Sequence, residues 1–262
     1  MKMTKISEIY DYIDSLAPFR TQDSWDNAGL LTGSMGGSVT KALVALDAKM
    51  PVIEEAKKLG CELIVTHHPV IFNPLRCINE DVEAGRLVKY SIACICAHTN
   101  LDSAEYGISD MMADALGMKN LHIPLEINRT DPETGRRLGY GTTAECESMS
   151  PERLAALCKE RFGCVGIRYV PGRKNIRKVG MVSGAGGEFI SAAEALGLDA
   201  LITAEVKHHQ FIEAERTGIT LIDAGHFETE VIAAGYLWEK LSSRFDGTEF
   251  ILSEVGSAVR TI

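Results

Sequence analysis

Apolar runs of roughly six to eight residues alternate with amphipathic stretches in two separate parts of the chain. The first part reads strand, helix, strand, helix, strand over residues 41–48, 51–60, 61–66, 82–90 and 92–97. The second part repeats this rhythm over residues 177–184, 188–197, 199–204, 206–218 and 219–225. Continuous apolar strands joined by crossover helices are typical of parallel sheets that are covered on both faces. The sequence therefore predicts an α/β fold with two similar lobes and mostly parallel sheets.

The predicted lobes comprise residues 1–125 and 126–262. A last strand, EFILSE (249–254), either completes the second lobe or returns to the first. The mixed segment 117–148 is rich in Gly, Arg and Thr, and both a hairpin and a crossover between the lobes fit it. Four further helices are predicted, over residues 6–16, 106–116, 150–163 and 227–243.

Composition restricts the partners and the compartment. The formal net charge of −9 argues against a nucleic-acid backbone as the main partner, although a nucleotide is compatible with it. No apolar stretch approaches the roughly 20 residues of a membrane helix, and the N-terminus lacks the apolar block of a signal peptide. The seven cysteines form no CxxC pair, which is typical of buried thiols in a reducing compartment. We therefore expect a cytoplasmic protein.

Polar clusters follow four of the predicted strands, and six of the seven histidines lie in them. The clusters are His67-His68, His98 to Asp102, Glu205 to His209, and His226 to Glu230. In open α/β sheets, ligands bind at the carboxyl ends of the strands. The sequence therefore predicts a functional site built from these strand ends.

Five residues have the chemistry of a two-metal site, namely His67, His68, Asp102, His226 and Glu230. His226 and Glu230 are four residues apart at a helix start, so they share one face. Three imidazoles and two carboxylates exceed the three protein ligands of a typical catalytic zinc and suit two ions. Zn, Mn, Fe, Co and Ni all fit this ligand set.

His67 and His68 leave an alternative open. Neighbours on an extended chain point in opposite directions, so the two rings are expected to serve different ions. In the alternative, one is a ligand and the other has a structural role.

Other residues are candidates for supporting roles. His98 and His209 are candidates for proton transfer, with a structural role as the alternative for His209. The glycine-rich turn with Gly184, Gly186 and Gly187 either cradles a phosphate or is an ordinary strand–helix turn. Trp25 either stacks on or gates a substrate, or caps the first lobe.

The motifs WDNAGL (25–30), THHPVIF (66–72), AHTNLD (97–102), SGAGG (183–187), TAEVKHH (203–209) and DAGHFETE (223–230) occur in this order along nearly the whole chain. In these motifs the chain resembles the Nif-three-like dinuclear-metal proteins, also called domain of unknown function 34 or GTP cyclohydrolase I type 2 homologues. The resemblance implies two α/β domains, a dinuclear metal centre in the cleft between them with the five ligands named above, and a ring-shaped homohexamer. The chain departs from the family's usual glycine at Ala204 and from its frequent tyrosine at His208.

Two functions follow as hypotheses. The first is a metal-dependent hydrolase that acts on a small molecule, with GTP or a related purine nucleotide as the substrate implied by resemblance. The second is a non-catalytic metal-binding protein that serves as an assembly or regulatory adaptor.

Overall fold

A computed structural model describes residues 3–260, which divide into two units. The first comprises residues 3–105 and 233–258, and the second comprises residues 106–232 and 259–260. The chain thus enters the second unit at Tyr106, not after residue 125 as predicted. The reason is that Met112 and Ala113 pack in one apolar cluster with Val179 and Met181 of the second unit.

Strands and helices alternate in the order that the apolar periodicity predicts. Up to residue 105 the elements are β1 (Thr4–Lys5), α1 (Ile6–Leu16), β2 (Gly29–Thr32), β3 (Ser38–Val39), β4 (Lys41–Ala45), α2 (Met50–Leu59), β5 (Leu63–Thr66), α3 (Glu83–Tyr90), β6 (Ala93–Cys96) and α4 (Thr99–Asp102). From residue 106 they are α5 (Ile108–Ala115), β7 (Lys119–Asn120), β8 (Glu126–Thr130), β9 (Arg137–Tyr140), β10 (Thr142–Met149), α6 (Pro151–Arg161), β11 (Arg168–Val170), β12 (Ile176–Ala185), α7 (Ile190–Ala195), β13 (Ala200–Ala204), α8 (His208–Thr217), β14 (Thr220–Asp223), α9 (His226–Arg244) and β15 (Glu249–Leu252). Short 3-10 helices occupy Phe19–Thr21 and Gly187–Phe189. Within residues 3–260, no helix combines the length and apolar character needed to cross a bilayer.

The sheet of the first unit has the strand order β15-β4-β5-β6-β2. β15, β4, β5 and β6 are parallel, and β2 pairs antiparallel with β6 at the edge. Leu43, Ile64 and Cys94 lie side by side in neighbouring strands and are fully buried. The last strand therefore belongs to the first sheet. β2 was not predicted, because its sequence GLLT follows a polar loop and is too short to show a period.

Helices α2 and α3 cover one face of this sheet. Pro51 lies in the first turn of α2, where its missing N–H is not needed, and Gly60 ends the helix in a left-handed conformation at φ +74°. Val52 and Ile53 of α2 and Leu87 of α3 pack on the strand residues in one apolar cluster. Each helix thus buries its apolar stripe on the continuous apolar strands, as the periodicity predicts.

The six-stranded sheet of the second unit has the order β11-β14-β13-β12-β10-β7. β12, β13 and β14 are parallel, whereas β11, β10 and β7 join antiparallel. The α/β class is confirmed, but antiparallel pairs outnumber parallel ones in this sheet. Two of the extra strands, β7 and most of β10, come from the segment 117–148, which also forms the separate two-stranded β8–β9 sheet. Polar residues alternate along these strands, so they contain no continuous apolar run from which a strand could be predicted.

Candidate metal centre

Three neighbouring strands of the first sheet end level with one another. Ala45 pairs with Thr66, and Thr66 pairs with Cys96, and these are the last residues of β4, β5 and β6. The residues that follow are therefore delivered to one edge of the sheet. They include Asp47, His67, His68 and His98.

The three histidines at this edge form a cluster. His67, His68 and His98 each offer a ring nitrogen, and these nitrogens lie within 4.8 Å of one another. The ring centroid of His67 is 5.0 Å from that of His68 and 5.1 Å from that of His98. The expectation that the neighbours His67 and His68 point apart is wrong, because β5 ends at Thr66 and the strand alternation ends with it. A single ion is within reach of both rings.

An oxygen acceptor lies against the Nδ1 atom of each of these rings. Nδ1 of His67 is 2.8 Å from the carbonyl oxygen of Ala97, and Nδ1 of His68 is 2.7 Å from Oδ1 of Asp47. Nδ1 of His98 is 2.7 Å from Oδ1 of Asp26. Carbonyl and carboxylate oxygens only accept, so each Nδ1 carries the proton and donates it. This tautomer leaves Nε2 with a lone pair for a metal ion or a proton.

Asp26 is also held by the neighbouring Thr99. Its Oδ2 accepts from the backbone N–H of Thr99 at 3.0 Å and from the hydroxyl of Thr99. Burial by itself raises the pKa of Asp26, but the hydrogen bonds from His98 and Thr99 outweigh it and lower the pKa to about 2. Asp26 is therefore a carboxylate at neutral pH and accepts the hydrogen bond from Nδ1 of His98.

Asp102 reaches the same cluster from α4. Its Oδ1 lies 3.9 Å from Nε2 of His67, and its side chain is largely buried. α4 starts directly after His98 and buries Leu101, which aims Asp102 back at the strand ends. Asp102 can therefore share an ion with His67.

The second unit brings His226 and Glu230 together at the start of α9. Nε2 of His226 lies 2.8 Å from Oε2 of Glu230, which is 7% exposed in its side chain. Nδ1 of His226 lies 2.9 Å from Oε1 of Glu205, which follows β13. The i, i+4 spacing thus produces the predicted pair, and a second carboxylate lies on the other side of the ring.

Gly184 lies against this pair. β12 shifts register between Met181 and Ala185, and Gly184 has a φ of +58°. A Cβ atom there would lie 2.2 Å from Oε1 of Glu230 and 3.2 Å from Nε2 of His226. The left-handed φ and the close approach of the Glu230 carboxylate together favour glycine at this position.

The three glycines predicted to cradle a phosphate are packed against protein groups. The amide of Gly184 donates to Thr229, and its carbonyl accepts from Thr203. A Cβ on Gly186 would lie 2.5 Å from Oγ1 of Thr203, and one on Gly187 would lie 2.3 Å from Oε1 of Gln210. These contacts favour the alternative reading, in which the turn packs closely within its own unit.

The remaining candidates lie outside these groups. His209 is exposed in the first turn of α8, and within residues 3–260 it joins neither histidine group. Trp25 and Phe72 are 56% and 49% exposed, and their ring centroids are 5.9 Å apart. Each ring presents an edge-on contact to His98, at 6.2 Å and 6.4 Å. The Nδ2 amide of Asn27 donates to the carbonyl of Ile71 at 2.6 Å, which ties the two aromatic segments together.

Sequence reasoning assigned no role to three carboxylates that contact the site histidines, namely Asp26, Asp47 and Glu205, although Glu205 opens one of the predicted strand-end clusters. Asp47 follows β4 and Glu205 follows β13. The rule that polar residues after apolar strands meet at one edge applies to both of them. Asp26 had no such signal, because it lies in a loop.

Comparisons with known proteins extend over nearly the whole chain. A family model described as Duf34/NIF3 (NGG1p interacting factor 3) matches residues 4–258. A protein of Clostridium perfringens called GTP cyclohydrolase 1 type 2 homolog is 34% identical over 257 residues, covering 95% of this chain and 96% of the relative. A protein of the same name from Streptomyces coelicolor is 35% identical over 237 residues, covering 87% and 82%.

Solved structures have the same fold. A Staphylococcus aureus hypothetical protein superposes with a TM-score of 0.89 at 27% identity and covers 100% of both chains. A Bacillus cereus protein described as related to NIF3 has a TM-score of 0.90 at 22% identity, also over 100% of both chains. The fold is thus common to proteins of widely different sequence.

Proposed function

Because the chain belongs to the Duf34/NIF3 family, we propose that it is a metal-dependent hydrolase that binds two divalent ions. The proposed ligands are His67, His68, Asp102, His226 and Glu230. Zn, Mn, Fe, Co and Ni all suit this mixture of imidazole and carboxylate.

The observation that carries the proposal is the fixed orientation of the histidines. The Nδ1 atoms of His67 and His68 face an oxygen acceptor at 2.8 Å and 2.7 Å. Histidines that bind metals almost always use the second ring nitrogen in this way, because the contact fixes the tautomer and raises the basicity of the other nitrogen. The Nε2 atoms of His67 and His226 each face a carboxylate, that of Asp102 and that of Glu230. A histidine with only a packing role does not need a carboxylate at this position.

When bound, the ions would lower the pKa of a water molecule and stabilise negative charge as it develops on the substrate. His98 is the residue of the chain best placed to move a proton. Asp26 holds its Nδ1, and its ring adjoins those of His67 and His68. Because Nδ1 faces Asp26, Nε2 is the atom of His98 that would take a proton and return it to a leaving group.

Trp25 and Phe72 support a substrate with a planar ring. Both rings are about half exposed, and both lie beside the candidate proton carrier. Aromatic faces bind nucleobases by stacking. The relatives called GTP cyclohydrolase 1 type 2 homolog point to the same class, so GTP is the first substrate to test.

The test is metal content followed by turnover. Protein purified without added metal should hold about two ions per chain. The count should fall in His67→Ala, Asp102→Ala and Glu230→Ala and stay unchanged in His122→Ala, whose exposed ring contacts Asp110 instead. The loaded forms are then assayed with GTP and a hydrolase substrate panel. An unchanged ion count in all four variants would refute the metal centre, and no turnover by any metal form would refute the hydrolase.

A second candidate is the non-catalytic metal-binding adaptor, favoured by exposed apolar residues after β5. Phe72, Leu75 and Ile78 are 49%, 45% and 63% exposed within one irregular segment. Such a surface is suited to contact with a protein partner or with another copy of this chain. From the family resemblance we propose that the copies form a homohexamer. Leu75→Glu with Ile78→Glu should lower the oligomeric state in sedimentation. If turnover is absent while these changes abolish capture of a partner, the adaptor is the correct function.

A further inference from the structure

Glu205 has a backbone conformation that its residue type does not favour. Its φ is +51°, in the left-handed region where a Cβ atom crowds the following carbonyl. Within residues 3–260, only Ser91, His122 and Glu205 have a positive φ without being glycine. Ser91 ends helix α3, which is a usual place for this conformation. Glu205 instead follows a buried strand, beside His226.

The neighbours of Glu205 impose this conformation. Ala204 on one side pairs with Ala185 in the sheet. On the other side, the N–H of Val206 donates to Oδ2 of Asp223 at 3.1 Å, and its carbonyl accepts from Arg168 at 3.5 Å. Val206 is also 4% exposed. The chain is therefore fixed directly before and after Glu205, and Glu205 takes up the strain.

The strained turn brings a carboxylate within ion-pair distance of His226, although this contact is not a hydrogen bond. Oε1 of Glu205 lies 2.9 Å from Nδ1, while Nε2 of the same ring lies 2.8 Å from Glu230. Glycine and asparagine adopt a left-handed φ more readily than glutamate. The backbone conformation therefore does not explain why glutamate occupies this position. Glycine has no side chain, and asparagine is shorter and uncharged, so neither supplies this contact. Strained residues of this kind concentrate at functional sites.

We propose that Glu205 is a positioning residue for metal binding, whose strained backbone keeps its carboxylate beside Nδ1 of His226, so that it accepts from this atom when Nε2 of the ring binds the ion. This inference rests on the proposed metal centre. It predicts that Glu205 lowers the stability of the metal-free protein and raises the affinity for metal. Relief of the strain should stabilise the metal-free protein, and loss of the carboxylate should weaken metal binding.

Glu205→Gly separates the two effects, because glycine accepts the left-handed φ and removes the carboxylate. The lost contact contributes little to stability, since the Glu205 side chain is 59% exposed. We expect the Tm of the metal-free full-length protein to rise by about 2–4 °C. We expect the affinity for Zn²⁺, measured by competition with a chromophoric chelator, to fall about 10- to 100-fold. Glu205→Gln keeps the strain, so its Tm should stay near wild type while its affinity falls.

Ser91→Gly is the matched control. It relieves the same kind of backbone strain at the end of α3 and should raise the Tm without changing Zn²⁺ affinity. If Glu205→Gly binds Zn²⁺ as tightly as wild type, Glu205 has no positioning role and the inference is wrong. If wild-type protein binds neither Zn²⁺ nor Mn²⁺, the metal centre itself is wrong, whatever Glu205 does to the Tm.

Discussion

Nδ1 of His98 lies 2.7 Å from Oδ1 of Asp26, a carboxylate with no exposed side-chain surface. The pair joins the loop after the first helix to the end of β6, which are 72 residues apart in sequence. A buried carboxylate that accepts four hydrogen bonds stays charged, because each bond favours the ionised form. It therefore fixes the ring that adjoins the other histidines.

Replacing Asp26 with Asn should destabilise the protein in a pH-dependent way. At pH 7 the loss of charge-assisted hydrogen bonds should lower the free energy of unfolding by about 1–3 kcal/mol. The pKa of Asp26 is lowered from 3.8 to about 2 in the folded state. Its stabilising contribution is therefore complete above the unfolded-state pKa and is lost as the pH falls towards 2. Urea unfolding of both proteins between pH 7 and pH 2.5 measures this.

The difference between wild type and Asp26→Asn should shrink as the solution becomes acidic. A difference that stays constant over this range would show that the charge of Asp26 is not what matters. Thr99→Ser, which keeps the hydroxyl that bonds Asp26, serves as the conservative control.

Gly184→Ala should damage the metal centre more than the fold. The new methyl group meets the Glu230 carboxylate at 2.2 Å and also occupies a left-handed φ of +58°. We expect a loss of about 1–2 kcal/mol from the backbone and a fall in bound metal because Glu230 must move. Metal analysis and thermal unfolding measure the two effects separately.

Gly197→Ala is the matched control for that substitution. Gly197 has a φ of +67°, but a Cβ atom there meets nothing within 4 Å. It should lose similar stability and keep its metal. Equal metal content in both alanine variants would contradict the proposed role of Gly184.

Trp25→Ala should weaken the binding of a planar substrate. Stacking on an aromatic ring contributes about 1–3 kcal/mol per base, so Kd for GTP should rise roughly tenfold or more. Trp238→Phe provides a background in which Trp25 is the remaining tryptophan, since the chain has two. Quenching of its fluorescence by GTP then reports binding directly. Phe72→Ala should act in the same direction, and unchanged affinity in both would rule out the aromatic pair as a ring-binding surface.

Thiol labelling should distinguish one cysteine from the others. Cys77 is exposed, whereas Cys94 and Cys96 are fully buried. Burial raises the pKa of Cys94 to about 12, so its reactive thiolate is scarce at pH 8. A chromogenic disulfide reagent should therefore react rapidly with one thiol in native protein and with all seven in denaturant.

Cys77→Ser should abolish that rapid phase. Cys146, which is half-buried with a pKa raised by burial, should react more slowly. Rapid reaction of Cys94 or Cys96 in native protein would contradict the buried position of β6.

Much of the fold follows from local pattern. The apolar runs 61–66 and 92–97 predicted β5 and β6, and Pro51 and Gly60 marked the ends of α2, because these signals depend on a few neighbouring residues. The family resemblance that the motifs indicated is confirmed by the match over residues 4–258. β2 and β10 were missed, since short or alternating strands are defined by the partners they pair with.

By itself, the sequence determined which residues have the chemistry of a metal ligand and that they follow strands. The spacing of His226 and Glu230 also determined their contact, because a helix places i and i+4 side by side. Tertiary structure alone decided that His67 and His68 turn towards His98 together, since this depends on where β5 ends. It also decided which acceptors fix the rings. Asp26, Asp47 and Glu205 reach their histidines across about 20 to 70 residues of chain, and a contact over such distances is set by how strands pair and loops cross rather than by any local pattern.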